Sequence, residues 1–393
     1  MLIREQYLKK IRPFYNSDLV KVIVGIRRCG KSVILNQIMN EIKKVSTNII
    51  YLNFEKTSDL IKADNATKLV EYINSNKKED KCYIFLDEVQ EIKNWQIAVK
   101  DLRLDNNSIF ITGSNSKLLS NEILTLLSGR FVSFRIRPFV FSEIEAYLKE
   151  LGKGANINDY LIWGGFPGRL TIDNTESQKD FLVDLENTII YNDLIKRYKI
   201  KKELIFKKIV SFILVSNSRI ISARSIQKYI NSKCDNVSLN TVIQYIEHLK
   251  DAYIIDGLPQ YSSKAKKILA YYYKFYNSDV CFNSLMVSNN RFDIDHNLEN
   301  IIYNELLYRG YSLKLYDNNG KEIDFFANKN GKEYYIQVAY SVVDEKAYNR
   351  EFDAFRNINS LSQKILITAD EIDYSTSMIR HISLKEFLHM EDF

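Results

Sequence analysis

The stretch Leu19-Val20-Lys21-Val22-Ile23-Val24-Gly25-Ile26-Arg27-Arg28-Cys29-Gly30-Lys31-Ser32 decides how this chain is read. It opens with a short, mostly apolar run closed by a glycine, the pattern of a parallel strand buried on both faces. Gly25 to Ser32 then fit the spacing GxxxxGK[ST], and Val33, Ile34, Ile38 and Ile42 lay an apolar stripe along the helix that follows. The spacing has a mechanical reason. Glycines let the backbone curl so that successive N–H groups point at phosphate oxygens, a lysine at fixed reach meets the β- and γ-phosphates, and a hydroxyl ligates Mg²⁺. The predicted nucleotide-binding set is Gly25, Ile26, Arg27, Arg28, Cys29, Gly30, Lys31, Ser32 and Val33, with Ser32 on the metal. Arg27 and Arg28 tune phosphate affinity or pair with acids.

Working outward, Ile49–Asn53, 82–86 and 108–112 are further buried-strand runs, with a helical pattern at 67–75 between the first two. Strands alternating with helices predict βαβ units and a parallel sheet with helices on both faces. The second of these runs, Tyr83-Ile84-Phe85-Leu86-Asp87-Glu88, ends in adjacent carboxylates. Asp87 is expected in the Mg²⁺ shell, and Glu88 to orient and deprotonate an attacking water, as phosphoryl transfer to water requires. Thr112-Gly113-Ser114-Asn115 ends the next strand, where Asn115 or Ser114 would hold that water or cap a helix. Arg130, after Ser128-Gly129, would offer positive charge to the transition state in cis or to a neighbouring subunit.

The composition permits this architecture. Hydrophobic residues are 46% and charged residues 26% of 393, enough to bury real cores, and with 13 Gly and 4 Pro neither a disordered nor a collagen-like chain is expected. No apolar run approaches the roughly 18 residues that cross a bilayer. The N-terminus, MLIREQYLKKIRPFY, lacks the apolar stretch of a secretory signal, so a cytoplasmic protein with no membrane partner is expected. Cys29, Cys82, Cys234 and Cys281 are widely spaced among only four His, which argues against zinc and against a disulfide framework. A net charge of +6 leaves a nucleic-acid partner open.

The pattern changes near 138–165, where a helix gives way to Trp163-Gly164-Gly165-Phe166-Pro167. The domains expected are 1–160 for the nucleotide-binding sheet, 161–285 for a mainly helical middle and 286–393 for a C-terminal α/β domain. In the middle, 205–215, 222–230 and 239–250 read as three helices, with Ser222 and Ser238 as caps, followed by strands at 253–256 and 270–276. Three helices and a two-stranded ribbon are the winged-helix arrangement. Asn240, Gln244 and His248 would face a DNA major groove, and the loop Lys264-Ala265-Lys266-Lys267 would touch phosphate. Glu247 and Asp251 on the same helix suit a protein partner instead.

In the last domain, helix residue Glu299, the turn Glu322-Ile323-Asp324 and the strand Tyr335-Ile336-Gln337-Val338-Ala339 follow the order of a PD-(D/E)xK nuclease core. Glu299, Asp324 and Gln337 fit its metal-holding positions, but Ala339 stands where the lysine belongs. Cleavage is therefore not expected, and a retained nuclease-like fold that binds nucleic acid or a partner is.

The loop GIRRCGKS, the strand YIFLDEVQ, the runs ITGSNSKLLS, LLSGRF and RPFVFSEI, and the later WGGFPG, LENIIYNELLYRG and EIDFFA together resemble the predicted AAA+-superfamily ATPases of bacteria and archaea that carry an AAA_14 module followed by a DUF4143 region. The resemblance covers nearly the whole chain. It implies ATP rather than GTP as the nucleotide, and the same winged-helix middle. The expectation is a Mg²⁺-dependent ATP-binding protein and ATPase, a possible homo-oligomer, coupling nucleotide state to the other two domains on DNA. The alternative is a nucleotide-gated interaction protein with negligible turnover and no DNA binding.

Overall fold

The computed structural model describes every residue except Met1, 120–126, 128, 234–235, 262–271, 288–290, 319–320, 357 and 359–360. The loop 264–267 therefore lies outside the described residues. The chain divides into two compact units, residues 1–138 with 251–253, and residues 139–250 with 254–393.

The first unit is built on a five-stranded sheet of β1 (Val20–Val24), β2 (Ile49–Asn53), β3 (Tyr83–Asp87), β4 (Ser108–Gly113) and β5 (Phe131–Arg135), all parallel, in the order β2-β3-β4-β1-β5. β1, β3 and β4 are buried at every residue, as central strands covered on both faces must be, which is why each reads as a continuous apolar run. The edge strands are only partly buried. Among the described residues the unit's α-helices are α1 (Glu5–Ile11), α2 (Lys31–Ile42), α3 (Thr57–Lys62), α4 (Ala66–Asn76) and α5 (Trp95–Leu104). Parallel register places the ends of β1, β3 and β4 along one sheet edge, where ligands of open α/β sheets bind.

The second unit starts earlier than the boundary at 160 read from sequence. Helix α6 (Phe141–Glu150) belongs to it: the Phe139 N–H donates to Gly165 O at 2.8 Å, the Phe141 N–H to Glu305 Oε1 at 2.9 Å, and the Tyr308 hydroxyl to Glu143 Oε1 at 3.3 Å. There follow α7 (Ile157–Trp163), α8 (Thr175–Thr188) running into a π-helical segment Ile189–Lys196, and α9 (Glu203–Val215). Next come β6 (Ile220–Ser222), α10 (Ala223–Ser232), α11 (Leu239–Asp251), β7 (Ile255–Tyr261), β8 (Tyr272–Asn277) and α12 (Cys281–Leu285). Ser222 and Ser238 accept the Ser225 and Thr241 N–H groups at 3.1 Å, capping α10 and α11. The remainder is α13 (Ile294–Tyr308), β9 (Ser312–Asn318), β10 (Lys321–Lys329), β11 (Lys332–Val338), α14 (Glu345–Ala354), β12 (Gln363–Thr368), β13 (Ile379–Ser383) and α15 (Leu384–His389).

The line drawn at 285/286 does not separate two sheets. β7 pairs parallel with β9 through Gln260↔Leu315 and Tyr261↔Tyr316, so all strands of this unit form one sheet in the order β13-β12-β11-β10-β9-β7-β8-β6. The reason is general: a short ribbon is marginal alone and exposes an edge, and docking on a neighbouring strand removes both problems. Among the described residues no helix is long and apolar enough to cross a membrane.

The Trp163–Pro167 motif is a packing device. Gly164 has φ +67°, and a Cβ there would lie 1.6 Å from Asp279 Oδ1, while the Gly165 N–H donates to Asp279 Oδ2 at 2.8 Å. Buried Arg169 ties the same turn to Asp159, Gln178 and Gly164 O.

Candidate nucleotide site

The turn after β1 is set by close approach from below. Gly25 has φ +151°, and a Cβ would stand 2.2 Å from Ile136 O, because the Ile136 N–H is bonded to Val24 O at 2.7 Å. Arg4, fully buried ahead of α1, donates from Nη1 to Cys29 O at 3.1 Å and from Nη2 to Arg137 O at 3.0 Å. Cys29 Sγ lies 3.3 Å from Ile136 O, and burial raises that thiol's pKa, so Cys29 is a packing residue rather than a nucleophile. The loop is thereby fixed in its curled form, with Gly30 at φ +101° starting α2.

Lys31 is 4% exposed and turned into this curl, its Nζ donating to Ile26 O at 3.3 Å and lying 3.5 Å from Glu88 Oε1. Ser32 Oγ donates to Asp87 Oδ1 at 3.1 Å, and Tyr51 OH to Asp87 Oδ2 at 3.2 Å. Arg27 pairs with Glu55 at 3.4 Å, one of the two outcomes open to it from sequence. Arg28 is exposed, with φ +66°.

Glu88 follows β3 in a left-handed conformation, φ +54°, which turns its carboxylate towards Lys31. Burial pushes this carboxyl up, but Lys31, the Gln90 amide and Arg27 outweigh it and hold Glu88 below its ordinary range. It is therefore an ionised carboxylate, its Oε2 bonded by Gln90 Nε2 at 2.5 Å.

The side chain that joins the two acids is Thr112, at the end of β4. Its Oγ1 donates to Asp87 Oδ1 at 2.5 Å and accepts the Glu88 N–H at 2.9 Å. Sequence reading favoured its neighbours Ser114 and Asn115 for a role here and missed Thr112. The available signal was the polar residue in β4, which must find a partner once the strand is buried. Ser114 and Asn115 are both buried in the same segment, and Ser114 Oγ is without a hydrogen-bond partner among the described residues. Val33 is the third residue of α2, in its first turn.

Arg130 is not brought to this site within the chain. Its carbonyl accepts the Val20 N–H at 3.1 Å, and β5 begins beside the start of β1, so Arg130 lies at the strand edge opposite the loop. A five-residue strand is about 16 Å long, beyond the reach of an arginine.

A second polar cluster forms in the other unit. The structure brings Glu299 (α13), Asp324 (β10) and Gln337 (β11) together, and adds Glu322 and a residue absent from the sequence expectation, Lys274 of β8. Ala339 packs in an apolar core with Ile323, Tyr335, Val342 and Leu366. On α11, Asn240 and Gln244 are exposed, but the His248 ring stacks on Tyr198 with centroids 3.5 Å apart, so His248 is committed within the fold.

The sequence model described as an AAA domain matches residues 17–145, and two described as domains of unknown function, DUF8612 and DUF4143, match 154–291 and 295–387. An uncharacterized protein of Haemophilus influenzae is 32% identical over 379 residues, covering 94% of this chain and 93% of the relative. The uncharacterized protein MJ1544 of Methanocaldococcus jannaschii is 31% identical, covering 90% and 82%. Among solved structures, the Walker-type ATPase of Pyrococcus abyssi superposes with a TM-score of 0.52 at 15% identity, over 73% of this chain and 96% of that one, a likeness of fold. With its curled lysine loop and paired acids, this chain belongs to the family of P-loop ATPases in which an AAA domain precedes a DUF4143 region.

Proposed function

We propose that the chain is a Mg²⁺-dependent ATPase whose nucleotide state controls binding of DNA by its middle module. The observation that carries the reading is the constellation of Lys31, Ser32, Asp87, Thr112 and Glu88 around one curled loop. The loop N–H groups would bind phosphate oxygens, and Lys31 would exchange its contacts to Ile26 O and Glu88 for the β- and γ-phosphates. Ser32 and Asp87, already in contact, would hold Mg²⁺, which when bound neutralises charge on the phosphates. Glu88, released from Lys31, would accept the proton of the attacking water, while Thr112 keeps the two acids in register. Lys31→Ala is expected to lose nucleotide binding, and Glu88→Gln to bind ATP and stop turning it over. Wild-type turnover by Glu88→Gln would remove the assignment of the base.

Both Glu88 oxygens are engaged, by Lys31 and by Gln90, which favours slow basal turnover and keeps a second reading in view, a nucleotide-gated regulator. Steady-state phosphate release with and without DNA separates the two.

DNA is favoured as the partner by charge. Residues 196–250 carry twelve Lys and Arg against three Asp and Glu, although the whole chain is only +6. The order α9, β6, α10, α11, β7, β8 supports reading this module as a winged helix, with Asn240 and Gln244 exposed on α11. An affinity for duplex DNA that falls steeply with salt is expected, and a flat salt dependence would take phosphate contacts out of the account.

A further inference from the structure

Lys274 projects from β8 into the cluster formed by α13 and β10, although β7 and β9 stand between β8 and β10 in the strand order. Its Nζ lies 2.6 Å from Glu299 Oε1, 2.6 Å from Glu322 Oε1 and 2.7 Å from Asp324 Oδ1. Lys274 itself is 3% exposed. An ammonium has three N–H donors and no acceptor, and here three carboxylates stand at hydrogen-bond distance, so no donor remains for a substrate phosphate or a water.

The remaining polar groups of the cluster are also committed. Tyr276 OH donates to Glu299 Oε1 at 2.6 Å, and the Val338 N–H donates to Asp324 Oδ2 at 2.9 Å. Gln337 accepts the Asp324 N–H at 3.3 Å and donates to Glu351 Oε2 at 2.8 Å, so both ends of its amide are used inside the fold. The β9–β10 register is broken between Ile323 and Phe326, the irregularity in which Asp324 lies. Burial and the neighbouring Asp324 push the Glu299 carboxyl up to about 8 against the pull of Lys274, which reduces the excess of negative charge around a single cation.

We propose that the Lys274 ammonium is the resident cation of this carboxylate cage, standing at the point a divalent ion would need in order to be shared by Glu299, Glu322 and Asp324, and that it makes the nuclease-like site a non-catalytic ionic lock. The lock joins the ribbon of the three-helix module to the C-terminal half of the sheet; among the described residues the two pair directly through Gln260 and Tyr261 of β7. These two modules then act as one body. Removing one partner of a buried ion cluster strands the others in a low-dielectric setting, whereas removing all of the charges together costs far less.

The full-length chain tests this through Lys274→Met, Glu299→Gln/Asp324→Asn and the combined triple variant. Lys274→Met is expected to lower the urea midpoint sharply or to leave the chain unfolded, and the triple variant is expected to recover most of that loss. Unchanged stability of Lys274→Met would overturn the proposal, as would a triple variant no more stable than Lys274→Met alone. In the wild-type chain without nucleotide, millimolar Mn²⁺ is expected to leave the melting temperature where it is, and plasmid DNA with Mg²⁺ or Mn²⁺ is expected to stay intact. A Mn²⁺-induced rise that disappears in the triple variant, or cleavage abolished by Asp324→Asn, would show a working metal site and overturn the proposal.

Discussion

Thr112→Val removes one hydroxyl from the end of β4 while keeping the shape and strand preference of the side chain. The wild-type hydroxyl makes two hydrogen bonds, donating to Asp87 Oδ1 and accepting the Glu88 N–H. Asp87 is fully buried, and a hydrogen bond to such a charged group contributes about 1.5–3 kcal/mol. A buried N–H left without a partner costs about 1–3 kcal/mol. Because Ser32 and Tyr51 still bond Asp87, the lower parts of both ranges apply, giving about 3 kcal/mol. At about 3 °C per kcal/mol, a melting temperature lower by about 9 °C is expected by calorimetry. The functional readout is the Mg²⁺ dependence of turnover. With Asp87 freed from Thr112, the Mg²⁺ concentration for half-maximal rate should rise about tenfold, equivalent to ~1.4 kcal/mol. Thr112→Ser keeps the hydroxyl and should stay near wild type in both measurements. If Thr112→Val melts within 2 °C of wild type, on the order of what a sub-kcal change gives, and keeps the same Mg²⁺ dependence, the bridge does not organise the two acids.

Three further outcomes are expected. Arg130→Ala should leave turnover of dilute protein unchanged, because Arg130 lies at the far edge of the sheet; a loss that is independent of protein concentration would contradict that placement. Burial raises the Glu186 carboxyl from 4.5 to about 7, so its contribution to stability is complete below pH 4.5 and is lost as pH rises through 7. Glu186→Gln should therefore remove about 3 kcal/mol of the pH dependence between pH 5 and 8, measured by urea unfolding, and an unaltered slope would refute it. Arg4→Met, which releases Cys29 O and Arg137 O, should weaken nucleotide binding without changing the rate once ATP is saturating; a lowered saturating rate with intact affinity would place Arg4 elsewhere in the mechanism.

The nucleotide-binding half was legible because its central strands are covered on both faces and read as plain apolar runs, and because phosphate geometry constrains loop spacing tightly. β5 escaped notice since Phe131–Arg135 is a short edge strand with partly exposed residues and no apolar run. Thr112 was passed over because its role depends on register with β3, which a single strand does not reveal. The lysine of the second cluster was sought at a fixed spacing, at position 339, whereas Lys274 arrives from a strand in another part of the sequence, a juxtaposition set by the β7–β9 pairing. The sheet that runs across the 285/286 division was hidden for the same reason, since a composition change does not report that two sets of strands pair. His248 falls on the helical stripe chosen for a groove, but its aromatic ring found Tyr198 first.

The most direct measurement is an equilibrium titration of the full chain with Mg-ATP, in parallel with Lys31→Ala and with EDTA in place of Mg²⁺. Saturable one-to-one binding that the substitution abolishes and EDTA weakens is the predicted result. No association with the wild-type chain, or equal affinity in Lys31→Ala, would contradict the assignment of the loop as a triphosphate site.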